Sequence, residues 1–260
     1  MVRFCANISM LFSEHPFLDR FAAAHLAGFE AVEIQFPYDV PAGEIKARLD
    51  ANGLDLELFN LPAGDFARGD RGMACEPGRE SDFQASLAQA LAYAAVLEPR
   101  KLNCLAGKRN PAFSPEAQSE ALIGNLQIAA ENTQAVGIKL VTEPLNPYDG
   151  PDFFLPTPSS GFAIIDAVNH PNLGLQYDIY HAQRTQGNIV TTLAEHKPAI
   201  GHIQIADAPD RNEPGTGELN WRFIFAELDR LGFTDRIGLE YRPSTADTAA
   251  SLAWMEEYIS

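Results

Sequence analysis

One pattern constrains this chain more than any other. Short β-branched and apolar runs alternate with longer stretches of helical character. The strand-like runs are Val2–Asn7, Ala31–Phe36, Leu54–Asn60, Lys101–Ala106, Ile138–Glu143, Leu173–Asp178, Ala199–Ala206 and Arg236–Tyr241, eight in all. The stretches between them carry readable ends. Phe17, Leu18, Phe21 and Leu26 recur near helical spacing before Gly28, and Ile45 and Leu49 lie one turn apart before Gly53. Ser114-Pro115 and Thr157-Pro158 each pair a capping hydroxyl with proline at the first helical position. The first of these opens a helix to about Val136, stopped by Gly137. Asn220 is placed to cap Trp221–Leu231, with Phe223, Ile224, Leu228 and Leu231 as one stripe and Gly232 at its end; a last helix is expected over Thr245–Tyr258. Eight such units in 260 residues match a (β/α)8 barrel, for which about 250 residues is typical. The rival, an open doubly wound sheet, usually carries a glycine-rich loop after an early strand. Here that loop is Ile8-Ser9-Met10-Leu11-Phe12, without glycine. No linker or low-complexity tract divides the chain, so residues 1–260 read as a single (β/α)8 domain.

Charge narrows the function. With 19 Lys and Arg against 35 Asp and Glu, the formal charge is −16. Neither a nucleic acid backbone nor an anionic membrane surface suits such a chain. No apolar run reaches membrane-spanning length. The opening run Met1–Ala6 reads directly as a strand, without signal-peptide architecture. Cys5, Cys75 and Cys104 cannot all pair and form no C-x-x-C, so free thiols in a reducing cytoplasm are expected. Cys5 and Cys104 sit in apolar runs and read as core.

Each of the last four strand-like runs carries a polar residue near its C-terminal end: Glu143, Asp178, Gln204 and Glu240. They are spaced about one β/α unit apart, so they should converge on the barrel rim where active sites lie. The strand period of two turns Ile203 and Ile205 toward the helices and leaves His202 and Gln204 inward; Leu239 and Tyr241 likewise leave Glu240 inward. Three converging carboxylates repel, and a divalent cation removes the problem. An all-oxygen set of this kind suits Mg²⁺ or Mn²⁺ better than Zn²⁺. Pairing with Arg, or helix capping, is the ordinary use of any one of them taken alone.

Other polar residues flank this set. His181 follows Asp178 by three residues and either binds a substrate oxygen or is an ordinary loop histidine. His202, one layer deeper, reads as a core histidine. Glu33 is expected inward, touching substrate or a neighbouring lysine. Arg211, in the loop after the seventh run, either forks onto a substrate carboxylate or is a surface charge. Lys108 is a further candidate cation for that carboxylate. Two long loops, Leu61–Gly78 and Pro144–Pro158, follow strands and are expected over the same rim as a lid or substrate-binding surface.

Several segments together carry a resemblance. They are Arg3-Phe4-x-Ala6-Asn7-x-Ser9-Met10-Leu11-Phe12, Phe36-Pro37-Tyr38, Asn60-Leu61-Pro62-Ala63-Gly64-Asp65, Pro77-Gly78-Arg79-Glu80 and Glu143-Pro144-Leu145-Asn146. Later in the chain come Tyr177-Asp178-Ile179-Tyr180-His181-x-Gln183-Arg184, Gly201-His202-x-Gln204-Ile205-Ala206-Asp207 and Glu213-Pro214-Gly215-Thr216-Gly217-Glu218. Across nearly its whole length the sequence resembles the hydroxypyruvate isomerase family, within the xylose isomerase-like group of TIM barrels. The resemblance implies that Glu143 and Glu240 transfer protons and that Asp178 and Gln204 join them in holding a divalent metal. It implies interconversion of hydroxypyruvate and tartronate semialdehyde through an enediolate, with no redox cofactor. A sister group acting on 2-oxo-tetronate shares the opening motif and the D-x-x-H segment and is the nearest alternative. A sugar epimerase on the same barrel is a more distant one. An endonuclease of the broad group would need more metal ligands and a basic groove. A non-enzymatic carbohydrate-binding barrel would not need three converging carboxylates. The expected partner is a small hydroxy-oxo acid, with no nucleic acid and no membrane; the sequence allows a homo-oligomer without fixing its size.

Overall fold

The structure, a computed structural model, describes residues 2–258. Met1 of the opening run lies outside the described residues. Eight parallel strands close in sequence order into a barrel: β1 (Arg3–Asn7), β2 (Ala31–Ile34), β3 (Asp55–Asn60), β4 (Lys101–Asn103), β5 (Lys139–Thr142), β6 (Leu173–Asp178), β7 (Ile200–Ile205) and β8 (Arg236–Leu239), with β8 pairing back onto β1. Each expected run holds one of these strands. Most are shorter by one to three residues, because the chain leaves the ladder at the rim to enter the loops.

The helices around the barrel are α1 (Arg20–Leu26), α2 (Ala42–Asn52), α3 (Glu80–Leu97), α4 (Pro115–Ala135), α5 (Pro158–Val168), α6 (Ile179–Gln183), α7 (Ile189–His196) and α8 (Trp221–Leu231). The capping signals operate as chemistry. The Ser114 side chain accepts from the N–H of Ala117, Asn220 accepts from Phe223, and Thr157 and Ser160 close a reciprocal capping box. Gly53 and Gly232 end their helices in the left-handed conformation.

Three expectations about helices need correction. The face that α8 buries is Trp221, Ile224, Phe225 and Leu228; Phe223 lies on the far side of the helix and is 53% exposed. Leu26 is likewise off the Phe21 and Ala24 face of α1 and exposed. No α-helix runs over Thr245–Tyr258. Thr248 is held by Glu14 and by the N–H of Phe12, so the chain winds only from Ala250 to Glu257, and there as a 3-10 helix. The helices α3, α6 and α7 were not foreseen: α3 buries small residues such as Ala90 and Ala94, which give a weak apolar stripe.

The core lies between strands and helices, where Leu140, Leu175, Tyr177, Ile203, Ile205 and Leu239 pack outward from the sheet. The barrel interior is different. Barrels of this kind usually fill it with branched apolar side chains. Here Asn7, Glu33, Lys101, Asn103, Gln176, Asp178, His202 and Gln204 are all buried, and bonds such as Lys101 to His202 cross it from strand to strand. Buried polar groups persist only when satisfied, so this interior is a hydrogen-bonded network that supports the rim above it.

Candidate active site

The rim at the C-terminal ends of the strands gathers the carboxylates. Strand register sets Asp178 beside Gln204, and Gln204 beside Gly238, so Glu240 follows at the mouth of β8. Glu143 leaves β5 directly. Glu143, Asp178 and His181 offer ligand-type atoms that all lie within 4.8 Å of one another. All three are buried, and Glu143 Oε1 and His181 Nε2 have no hydrogen-bond partner.

The electrostatics follow from this crowding. Burial, then the nearby Glu240 and Asp178, pushes Glu143 well above the usual carboxylate range. Burial raises Asp178 to about 7 against the pull of Arg211, and raises Glu240 as well. Burial, helped by Arg211, holds His181 well below its ordinary value, so the ring is neutral. The backbone N–H of Asn146 donates to His181 Nδ1 at 3.2 Å. A neutral ring that accepts at Nδ1 carries its proton on Nε2. Nε2–H therefore faces the site, 3.5 Å from Asp178 Oδ2 and 3.9 Å from Glu143 Oε1.

Arg211 is no surface charge. Its Nη2 pairs with Glu240 Oε2 and lies 3.5 Å from Asp178 Oδ2, while Nη1 reaches Asp149 at 3.5 Å. The two glutamates thus have unlike surroundings. Glu240 receives Arg211 on one oxygen, with Asn7 Nδ2 at 3.1 Å and Gln35 Nε2 at 2.9 Å on the other. Glu143 receives Asn103 Nδ2 at 3.2 Å on Oε2 and nothing on Oε1. Both ends of the Gln204 amide are engaged, donating to Glu33 at 2.9 Å and accepting from Gln176 at 2.6 Å.

Three comparisons bear on this site. A family model described as xylose isomerase-like TIM barrel matches residues 21–258. The hydroxypyruvate isomerase of Escherichia coli K12 is 45% identical over 99% of this chain and 100% of its own length. The 2-oxo-tetronate isomerase of Cupriavidus necator is 46% identical over 100% of this chain and 99% of its own. The chain belongs to the hydroxypyruvate isomerase family of xylose isomerase-like barrels. It is an isomerase, as its curated relatives are. The crystal structure of AP endonuclease, family 2, from Brucella melitensis superposes with a TM-score of 0.96 at 40% identity, covering 99% of both chains.

In this isomerase the two long loops each pair with the segment Ala106–Lys108 that follows β4. Gly72 bridges Ala106, Lys108 bridges Phe153, and the N–H of Phe154 donates to Gly107. Lys108 is half-buried in that junction. Glu33 touches Cys5, Asn7, His202 and Gln204, and no lysine. The three cysteines are free and buried, and burial pushes the Cys75 and Cys104 thiols up to about 12, which leaves them inert. Sequence reasoning missed the amides Asn7, Gln35, Asn103, Asn146 and Gln176. Their signal was available: Asn103 is two residues from Lys101 and Gln176 two from Asp178, on the inward side of their strands.

Proposed function

We propose that this isomerase interconverts hydroxypyruvate and tartronate semialdehyde by moving one proton between adjacent carbons, with Glu143 and Glu240 as the two proton-transfer groups. The observation that carries the reading is the unlike setting of these two buried carboxylates on one rim. One glutamate must accept the proton from the hydroxyl-bearing carbon while the other returns one to its neighbour, and unlike environments keep their protonation states apart. His181 Nε2–H is free to donate to a substrate oxygen. The Nη1 arm of Arg211, held among the described residues by Asp149 at 3.5 Å, is free to turn toward the substrate carboxylate, and Lys108, in the segment after β4, is the second cation for that role. The lid loops exclude water from the enediolate.

A divalent cation fits the donor set, because Glu143 Oε1 is buried without a partner beside Asp178, and both carboxyls are pushed up by the crowding. Glu143 and Asp178 would hold it, and Gln204 and Glu240 would complete the set by exchanging their present bonds to Gln176 and to Arg211, Asn7 and Gln35 for the cation; the oxygen-rich donors favour Mg²⁺ or Mn²⁺. When bound, it would supply Lewis-acid stabilisation of charge on the substrate oxygens. Electrons stay within the substrate, so no redox cofactor is called for.

A second reading is favoured by one observation: the relative named 2-oxo-tetronate isomerase is as similar as the one named hydroxypyruvate isomerase. The same residues would act on the longer acid. The Brucella protein, named for an endonuclease, favours neither substrate. A chain of charge −16 is poorly suited to a nucleic acid backbone. No helix among the described residues is long and apolar enough to cross a membrane, and the buried free thiols suit a reducing cytoplasm. Glu143→Gln and Glu240→Gln test the mechanism. Each is expected to lower kcat by about 10²- to 10⁴-fold with the fold retained; near-normal turnover in either variant contradicts the two-glutamate reading.

A further inference from the structure

Below the rim, a chain of buried polar groups runs along the barrel interior. Lys101 Nζ donates to Glu57 Oε1 at 2.7 Å and lies 3.3 Å from His202 Nδ1. An ammonium has no acceptor, so Nδ1 must accept, and the ring N–H is the one on Nε2. That proton points at Glu33 Oε1, to which His202 Nε2 is bonded. The other Glu33 oxygen accepts from Asn7 Nδ2 at 3.3 Å and from Gln204 Nε2 at 2.9 Å. Asn7 then spends its second N–H on Glu240 Oε1 at 3.1 Å, while its own oxygen accepts the N–H of Ser9 at 3.1 Å. Every bond in this chain has a forced direction.

We infer that Glu33 is a positioning residue: anchored from below by His202 and Lys101, it fixes which way the Asn7 and Gln204 amides face, and through Asn7 it aims Glu240. Without Glu33, Asn7 keeps only its bonds to Ser9 and Glu240 and Gln204 only its bond from Gln176, so both amides are held less firmly and a tilt of Asn7 carries its N–H away from Glu240 Oε1. Room for Glu33 is built into the opposite wall. A Cβ at Gly238 would overlap the Glu33 carboxylate, so the glycine leaves the space that Glu33 fills. The inference rests on the reading of Glu240 as a proton-transfer group.

Glu33→Gln keeps the shape but offers N–H groups where acceptors are needed. Its kcat on the better of the two acids is expected to fall 10- to 100-fold with KM within about 2-fold, in protein that remains folded by circular dichroism. Gly238→Ala displaces the same carboxylate without changing any charge and carries the same expectation should Glu33→Gln not fold. Combining the two should cost little more than either alone. Cys5→Ala removes only the weakest Glu33 contact, at 3.5 Å, and should leave kcat within 2-fold. A merely structural Glu33 would lower the melting temperature and leave kcat alone; normal kcat in both folded variants overturns the inference. Glu240→Gln, measured alongside, separates the two claims: an inactive Glu240→Gln with an active Glu33→Gln rejects the positioning role only, whereas an active Glu240→Gln rejects the mechanism on which it rests.

Discussion

Arg211 stands in the loop after β7 with a backbone φ of 60°, and its guanidinium lies between Asp178 and Glu240. Among the described residues it is the cation that pairs with the acids of the rim, and its removal would leave two buried carboxylates without that charge. Breaking a buried pair in this way costs about 3 kcal/mol, or about 6–12 °C in melting temperature for a chain of this size. Arg211→Ala in chelator-treated protein is expected to show that loss, with part of it restored by Mg²⁺ or Mn²⁺, and to raise KM. An unchanged melting temperature and KM would return Arg211 to the role of a surface charge. The sequence allowed both roles for Arg211, because a lone arginine among acids looks the same whether it points out or in. The four strand-end residues were legible from their spacing. What was not legible is how they divide. Glu240 is taken up by Arg211, Asn7 and Gln35, Gln204 by Glu33 and Gln176, and His181 comes to lie beside Glu143 and Asp178. Those pairings depend on side-chain directions across the barrel, which no local pattern encodes.

At the scale of elements, the long loop Pro144–Pro158 leads directly into α5, whose start is fixed by the capping box of Thr157 and Ser160. Loss of a capping hydroxyl costs about 1 kcal/mol. Thr157→Ala is therefore expected to lower the melting temperature by about 2–4 °C while kcat stays near normal; no shift would mean that the cap does not hold α5. Helix starts at Ser114, Thr157 and Asn220 were readable because a capping side chain acts on its own next few residues. The end of the chain was not readable for the opposite reason. Thr248 is committed to Glu14 and Phe12, more than two hundred residues away, and that distant bond overrides the local helical pattern. The helix α6 is similarly hidden, since its N-cap is Asp178 itself, whose Oδ1 accepts the N–H of Tyr180.

For the whole molecule, the eight-fold alternation dictated the barrel, and closure followed because consecutive β/α units place consecutive strands side by side. The polar interior was only partly foreseen. Alternation turned His202 and Gln204 inward, but the chain from Lys101 through His202 and Glu33 to Asn7 joins four different strands and becomes visible only when the barrel is closed. On the proposed mechanism, that network and the acidic rim serve one chemistry, transfer of a proton between neighbouring carbons of a small anionic acid. The most direct test is an isomerase assay on the purified protein, with hydroxypyruvate and 2-oxo-tetronate side by side, before and after chelation with Mg²⁺ or Mn²⁺ restored. The expected result is turnover of hydroxypyruvate that chelation lowers and the cation restores. Turnover of the four-carbon acid alone would reassign the substrate while keeping the site, and turnover of neither acid with cation present would contradict the account.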